Sequence, residues 1–230
     1  MENLCKNYVI AIDGEAGTGK STLAKNIAKK YNIVYMDTGA MYRCVTLDML
    51  NKGISMDDTK KIQQMLDNIK IEIENNNGED RFILNGEDVT KKIREKNVND
   101  NVSQVSHIPV VRERMVELQR RLANGKKIVM EGRDIGTNVF PNAQVKIYLT
   151  ASAQVKAKRR YEQNKQNGID IPFEEIYNNV VFRDNNDKTS DVAPLKKADD
   201  AFELDTTNYT LDEVENIVVK KIKEKVILDD

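Results

Sequence analysis

A short apolar run that breaks into glycines and restarts as a helix constrains the fold of this chain more than any other stretch. Tyr8-Val9-Ile10-Ala11-Ile12 leads into Asp13-Gly14-Glu15-Ala16-Gly17-Thr18-Gly19-Lys20-Ser21-Thr22. Behind the glycines, Leu23, Ala24, Ile27, Ala28 and Tyr31 recur at helical spacing, with Lys25, Asn26, Lys29 and Lys30 between them. Gly14, Gly19, Lys20 and Ser21 fill the pattern G-x-x-x-x-G-K-[ST], in the strand-to-helix context that gives the pattern meaning. Glycines let backbone N–H groups close on phosphate oxygens, and the helix N-terminus adds positive dipole. Lys20 reaches the outer phosphates. The Ser21 hydroxyl suits Mg²⁺. The whole run Gly14, Glu15, Ala16, Gly17, Thr18, Gly19, Lys20, Ser21 and Thr22 is therefore expected to hold a nucleotide triphosphate. The bland alternative is an incidental glycine-rich turn.

The 230 residues suffice for one full core. Lys and Arg number 36 against 37 Asp and Glu, so a net charge of -1 argues against a nucleic-acid-binding surface. The apolar runs stop far short of the ~20 residues that span a bilayer. The first residues, Met1 to Asn7, lack the pattern of a signal peptide, and the cytoplasm is the expected compartment. Cys5 and Cys44 form no C-x-x-C pair and no metal spacing, and Cys44 reads as a small buried residue.

A second apolar run, Ile33-Val34-Tyr35-Met36, ends at Asp37-Thr38-Gly39, where a helix with Met41, Tyr42, Val45, Leu47 and Leu50 should begin. Strand, helix, strand, helix reads as a parallel α/β sheet, which binds ligands at the carboxyl ends of its strands. Past a short helix from Asp57, the period changes. Ile69, Ile71 and Ile73 alternate with charged residues, Arg81-Phe82-Ile83-Leu84 follows, and turns fall at Asn75–Gly78 and Asn85-Gly86. This meander reads as an antiparallel excursion from the core. Helical patterns carry Val98, Val102 and Val105, then Val111, Met115, Leu118 and Leu122 behind Pro109. Lys127 to Glu131, Val145 to Leu149 and Ala201 to Leu204 supply three more strands. Ser152 is placed to cap a helix ending before Gly168, and another opens at Pro172 and runs into the polar stretch Arg183 to Asp191. Thr210 to Glu213 forms a capping box for the last helix.

A phosphate loop alone fits GTPases, ATP-driven machines and small-molecule kinases. No Asn-Lys-x-Asp pattern is present to read guanine. Arginines gather where core strands end: Arg43 behind Asp37-Thr38-Gly39, Arg133 behind Glu131-Gly132, then Arg159, Arg160 and Arg183. Guanidinium forks bind phosphate at two points, so this edge suits a second phosphate.

With Asp37-Thr38-Gly39-Ala40-Met41-Tyr42-Arg43, Val102-Ser103-Gln104-Val105, Glu131-Gly132-Arg133-Asp134-Ile135-Gly136-Thr137 and Ala193-Pro194-Leu195 set beside the phosphate loop, the chain resembles bacterial cytidylate kinases over nearly its whole length. The resemblance implies a P-loop three-layer α/β/α fold with a mostly parallel five-stranded sheet, a small antiparallel β-rich insertion that binds the nucleoside monophosphate, and a helical lid. It also implies one domain, with a core at about 1–62 and 92–230, the insertion at about 63–91 and the lid at about 152–190. The implied reaction is transfer of the ATP γ-phosphoryl group to CMP or dCMP by a monomer, with Mg²⁺ at Ser21. Lys20, Arg133 and Arg159 are the implied catalytic set, Arg159 belonging to the lid over ATP. Arg43 and Arg133 would hold the CMP phosphate; Ser103, Arg112 and Asp134 would read the base. Thr38 would lie near the nucleotide, and Arg183 and Asp187 near the sugar.

Cytosine offers an exocyclic amine donor beside ring acceptors, so a carboxylate with a guanidinium or hydroxyl is chemically suited to it. The residues alone also allow Ser103 as a plain helix position and Asp134 as a partner of Arg133. They leave open a kinase of another small acceptor (UMP, AMP or a non-nucleotide) and an ATP-dependent switch. One position departs from the family, which commonly has arginine where Ser190 stands. The chain then lacks the contact, replaces it with Lys188, or binds CMP more weakly.

Overall fold

The structure, a computed structural model, describes residues 7–76, 79–166, 168–190, 192 and 194–228, without the side chains of residues 75, 76 and 79. Residues 77 and 78 of the expected Asn75–Gly78 turn lie outside the described residues, as do Cys5 and Ala193. The elements in chain order are β1 (Tyr8–Gly14), α1 (Lys20–Lys30), β2 (Val34–Asp37), α2 (Thr38–Asn51), α3 (Thr59–Asn68), β3 (Ile71–Asn76), β4 (Glu79–Leu84) and β5 (Glu87–Asp88). They continue with α4 (Lys96–Ser106), α5 (Pro109–Ala123), β6 (Lys127–Gly132), β7 (Val145–Thr150), α6 (Ala153–Gln166), α7 (Phe173–Thr189), β8 (Phe202–Asp205) and α8 (Leu211–Lys223). Two compact units result, Met1–Met36 with Ala123–Asp230, and Asp37–Leu122.

The first unit is built on a five-stranded, all-parallel sheet in the order β2-β6-β1-β7-β8. Its central strands are apolar on both faces, which is why β1, β6 and β7 read in the sequence as short continuous hydrophobic runs. Ile10, Ile12, Val145, Ile147 and Leu149 form one buried cluster with Leu23 and Ile27 of α1 and Val214, Val218 and Ile222 of α8. The capping box that starts α8 is present, with Thr210 Oγ1 accepting from the Glu213 N–H and the Glu213 carboxylate accepting from the Thr210 N–H. Between β7 and β8, α6 and α7 pack as a hairpin over a small core of its own: Ala157, Ile176 and Val180, edged by Tyr161, Phe173 and Tyr177. Ser152 caps α6 through the Val155 N–H at 3.3 Å. The polar stretch after Phe182 is helical, α7 running to Thr189, because its polar residues make ion pairs that a solvated loop would not hold.

The second unit holds α2 to α5 and a three-stranded sheet, β3-β4-β5, antiparallel throughout its pairing. Asn85 and Gly86 both adopt positive φ, 51° and 88°, so the expected tight turn forms where Leu84 pairs with Glu87. Cys44 is fully buried in α2, and burial, aided by Asp37, pushes its thiol up to about 12, so it is no nucleophile.

Candidate functional site

The phosphate loop occupies the carboxyl end of β1, at the middle of the parallel sheet. Gly14 lies opposite Leu149 of β7, and a Cβ there would sit 2.1 Å from the Leu149 carbonyl oxygen, so only glycine lets the two strands stay in register. The turn then winds back on itself. Thr18 Oγ1 donates to the Glu15 carbonyl at 3.0 Å, and Lys20 Nζ donates to the same oxygen at 2.5 Å. Lys20 is 4% exposed. Burial, then the Arg133 guanidinium, pulls its ammonium down to about 7, opposed by Glu131 and Asp13. A bound polyphosphate would restore its full charge.

Ser21 Oγ donates to Glu131 Oε2 at 2.7 Å, and the Tyr35 hydroxyl donates to Glu131 Oε1. Glu131 is 5% exposed at the end of β6, next to β1. In the sequence Glu131 stands only as the end of a strand ahead of Gly132-Arg133, with no role of its own. The signal that would have found it is a carboxylate ending a core strand one residue before a glycine. A hydroxyl and a carboxylate together are hard oxygen donors of the kind Mg²⁺ takes alongside substrate phosphates. Among the described residues, no group of three or more His, Cys, Asp and Glu side chains could hold a metal by itself.

The turn after β6 carries Arg133 and Asp134. Arg133 Nε donates to Asp187 Oδ2 at 2.8 Å, joining that turn to α7. Asp134 is buried, and its Oδ2 accepts from Asn138 Nδ2 at 2.9 Å. Behind it, Ile135–Val139 form a π-helical turn that no sequence pattern announced. Asp13 anchors it, Oδ1 accepting from the Ile135 N–H at 2.8 Å and Oδ2 from the Gly136 N–H at 2.7 Å. Burial pushes the Asp13 carboxyl up to about 6, with the two backbone donors pulling the other way.

Arg159 on α6 lies against the phosphate loop's surroundings, its Nη2 donating to the Thr206 carbonyl at 2.9 Å and its Nη1 to Thr206 Oγ1 at 3.1 Å. Its contact with the Gly17 carbonyl is long, 3.5 Å. Arg183 sits half-buried on α7, one turn before Asp187. Lys188 ion-pairs with Glu15 Oε1 at 2.6 Å.

In the second unit, Asp37 caps α2 by accepting from the Ala40 N–H at 2.8 Å, and buried Thr38 is the first residue of that helix. Arg43, a turn further on, curls back toward the same end, its Nη1 3.6 Å from where a Gly39 Cβ would stand. Its Nε donates to Asn99 of α4 at 3.3 Å, and its buried Nη1 has no hydrogen-bond acceptor among the described residues. Arg112 Nη1 on α5 donates to the Ser106 carbonyl at 3.2 Å, and its guanidinium lies 5.8 Å over the Tyr42 ring. Ser103 is half-buried on α4, three residues from Ser106, whose hydroxyl donates to its carbonyl. The second unit thus holds Thr38, Arg43, Ser103 and Arg112; the first holds the phosphate loop, Arg133, Asp134, Arg159, Arg183 and Asp187.

Residues 10–224 match the family model described as cytidylate kinase. A cytidylate kinase of Fusobacterium nucleatum subsp. nucleatum is 50% identical over 217 residues, covering 94% of this chain and 98% of that one. A cytidylate kinase of Limosilactobacillus reuteri is 50% identical over 221 residues, covering 96% and 97%. Among solved structures, an uncharacterized protein from Eubacterium ventriosum superposes with a TM-score of 0.50 at 18% identity, covering 96% of this chain and all of that one, a likeness of fold alone. No helix among the described residues is long and apolar enough to cross a membrane.

Proposed function

The chain belongs to the cytidylate kinase family, and from that premise we propose that it transfers the γ-phosphoryl group of ATP to CMP or dCMP, giving ADP and CDP or dCDP, in pyrimidine nucleotide metabolism. The observation that carries the proposal is the unbroken family match over residues 10–224, which takes in both the phosphate loop and the arginine-bearing segments.

The acceptor is a phosphate monoester whose second pKa is near ~6, so at neutral pH it brings its own anionic nucleophile. An acceptor oxygen bonds to the γ-phosphorus, the bond to the β–γ bridging oxygen breaks, and ADP leaves with that electron pair. No general base is required, and His107 stays outside the chemistry. What remains for the protein is to bring two polyanions together and to stabilise the charge in transit.

In this scheme Gly14 to Thr22 wrap the ATP phosphates, and Lys20 exchanges the Glu15 carbonyl for them. Mg²⁺ would be held through Ser21, with Glu131 orienting that hydroxyl, and would supply charge neutralisation on the phosphates. The pairing of Ser21 with a buried carboxylate supports the fit. Arg43 and Arg133 hold the CMP phosphate, and the buried Arg43 Nη1, which has no acceptor among the described residues, supports anion binding there, since a buried donor without a partner is costly. Ser103, Arg112 and Asp134 read cytosine, Thr38 lies by the nucleotide, and Arg183 and Asp187 serve the sugar. Arg159 belongs to a lid of α6 and α7 that keeps water from competing as acceptor. The chain works as a monomer in the cytoplasm, where ATP and CMP are both available.

The test is ADP release from ATP with CMP, dCMP, UMP and AMP offered in turn. CMP or dCMP should give the highest kcat/KM; a clear preference for UMP or AMP would overturn the base assignment.

A further inference from the structure

The phosphate loop and the turn after β6 are tied to the end of α7 by a row of ion pairs. Asp184, Asp187 and Lys188 fall at i, i+3 and i+4 on α7 and so share one face of its last turns. Each reaches a different part of the first unit. Asp184 Oδ2 accepts from Lys156 Nζ at 2.5 Å, Asp187 pairs with Arg133, and Lys188 Nζ lies 2.6 Å from Glu15 Oε1. Lys156, at the start of α6, also donates to Glu15 Oε2.

Glu15 is therefore a joint. Its carbonyl, inside the loop, accepts from Lys20 and Thr18. Its carboxylate, on the outside, takes two ammonium groups from two helices. Glu15 is 4% exposed and Lys156 2%, and burying such charges is costly unless each is paired. Two carboxylates against two ammonium groups meet that need. Burial raises the Glu15 carboxyl, and the lysines more than offset it, leaving it below its ordinary value. The loop also lies close against α6: a Cβ on Gly17 would stand 3.2 Å from Lys156 Cβ. Lys188 is the accessible member, with 54% of its side chain exposed.

We propose that Glu15 and Lys188 are a positioning pair for the donor nucleotide, clamping the phosphate loop to the end of α7 so that the Thr18 anchor on the Glu15 carbonyl keeps its place and the loop holds its shape when Lys20 turns to the phosphates. This rests on the loop being the ATP site, and it gives Lys188 a donor-side task rather than that of a stand-in for an arginine at Ser190.

The pair is tested by direct calorimetric titration of a non-hydrolysable ATP analogue, without CMP, into the wild type, Lys188→Met, Glu15→Gln, the double variant and Lys188→Arg. A partly exposed ion pair of this kind should be worth up to about fivefold, so Lys188→Met binds the analogue up to about fivefold more weakly, and Glu15→Gln, which also unpairs buried Lys156, at least as much. The double variant should be no weaker than Glu15→Gln, because that change already removes the pair that Lys188→Met deletes. Lys188→Arg keeps the charge and should recover most of the affinity. KM for CMP should move less than about twofold, and the Tm of Lys188→Met by no more than ~1 °C, since an exposed lysine contributes little to stability. Wild-type affinity in Lys188→Met would overturn the proposal, as would a loss for both nucleotides that tracks Tm. Analogue binding by a wild type that never phosphorylates CMP would sink the reaction assignment instead and leave the pair standing.

Discussion

The phosphate loop and the second unit's arginines solve opposite problems. Around the loop these polar and charged side chains meet partners within the first unit: Lys20 and Thr18 on the Glu15 carbonyl, Ser21 on Glu131, Glu15 on Lys156 and Lys188, Asp13 on two backbone N–H groups. Arg43 has only a 3.3 Å bond to Asn99 and a buried Nη1 with no acceptor among the described residues. A site completed by its own chain is pre-shaped for its ligand, at the cost of partners the ligand must displace. A site with an unmatched guanidinium nitrogen gains that bond only when an anion arrives. On the proposed function, the donor side is thus assembled by backbone geometry, and the second unit's share of the acceptor side by long side chains from separate helices.

The largest expected effect breaks the donor side at its centre. Lys20→Ala should lower kcat by about 10²- to 10³-fold in single-turnover assays, because it removes a positioned charge from the transferring group. Undiminished turnover would end its assignment.

Next comes a pH signature of the same dense packing. The unfolded chain releases the Asp13 proton near 3.8 and the folded chain near 6. Between those values the native state binds more protons, so stability falls as pH rises through the window and is level above it. The contribution is at most ~3 kcal/mol. The gap in unfolding free energy between wild type and Asp13→Asn, measured by urea titration at about pH 4 and pH 7, should change in that direction; a constant gap would refute it.

Arg43→Ala sharpens the contrast from the other side. KM for CMP should rise about 10- to 100-fold while KM for ATP stays near its original value, the loss of one charge-assisted contact. Equal damage to both substrates would erase the difference between the two regions. Asp134→Ala should have the smallest effect of these four, about tenfold in KM for CMP with eroded preference over UMP. A uniform loss for all acceptors would assign Asp134 a structural role, holding Asn138 and the turn behind it.

How well each region could be read from the sequence follows the same division. The loop is legible because Gly14 and the turn behind it are demanded by backbone approach and phosphate geometry within nine consecutive residues. The parallel strands, the Asn85-Gly86 turn and the α8 capping box are legible for the same local reason. Thr38, Arg43, Ser103 and Arg112 come from α2, α4 and α5, and no local pattern announces that they act together; the family resemblance alone grouped them. The π-helical turn was invisible because what stabilises it, the Asp13 carboxylate, lies over 120 residues earlier, as the 122-residue separation of Asp13 and Ile135 records. The Glu15, Lys156, Asp184 and Lys188 cluster was hidden likewise, since charged residues ordinarily read as solvated, and here three of the four are buried.

Phosphorus NMR of the protein with ATP, Mg²⁺ and CMP tests the central claim most directly. Signals of CDP should grow in step with those of ADP, one formed for each ADP, with no inorganic phosphate accumulating. ADP and inorganic phosphate rising together while CMP stays unchanged would contradict it, and would make the chain an ATP-hydrolysing switch rather than a kinase of cytidine monophosphates.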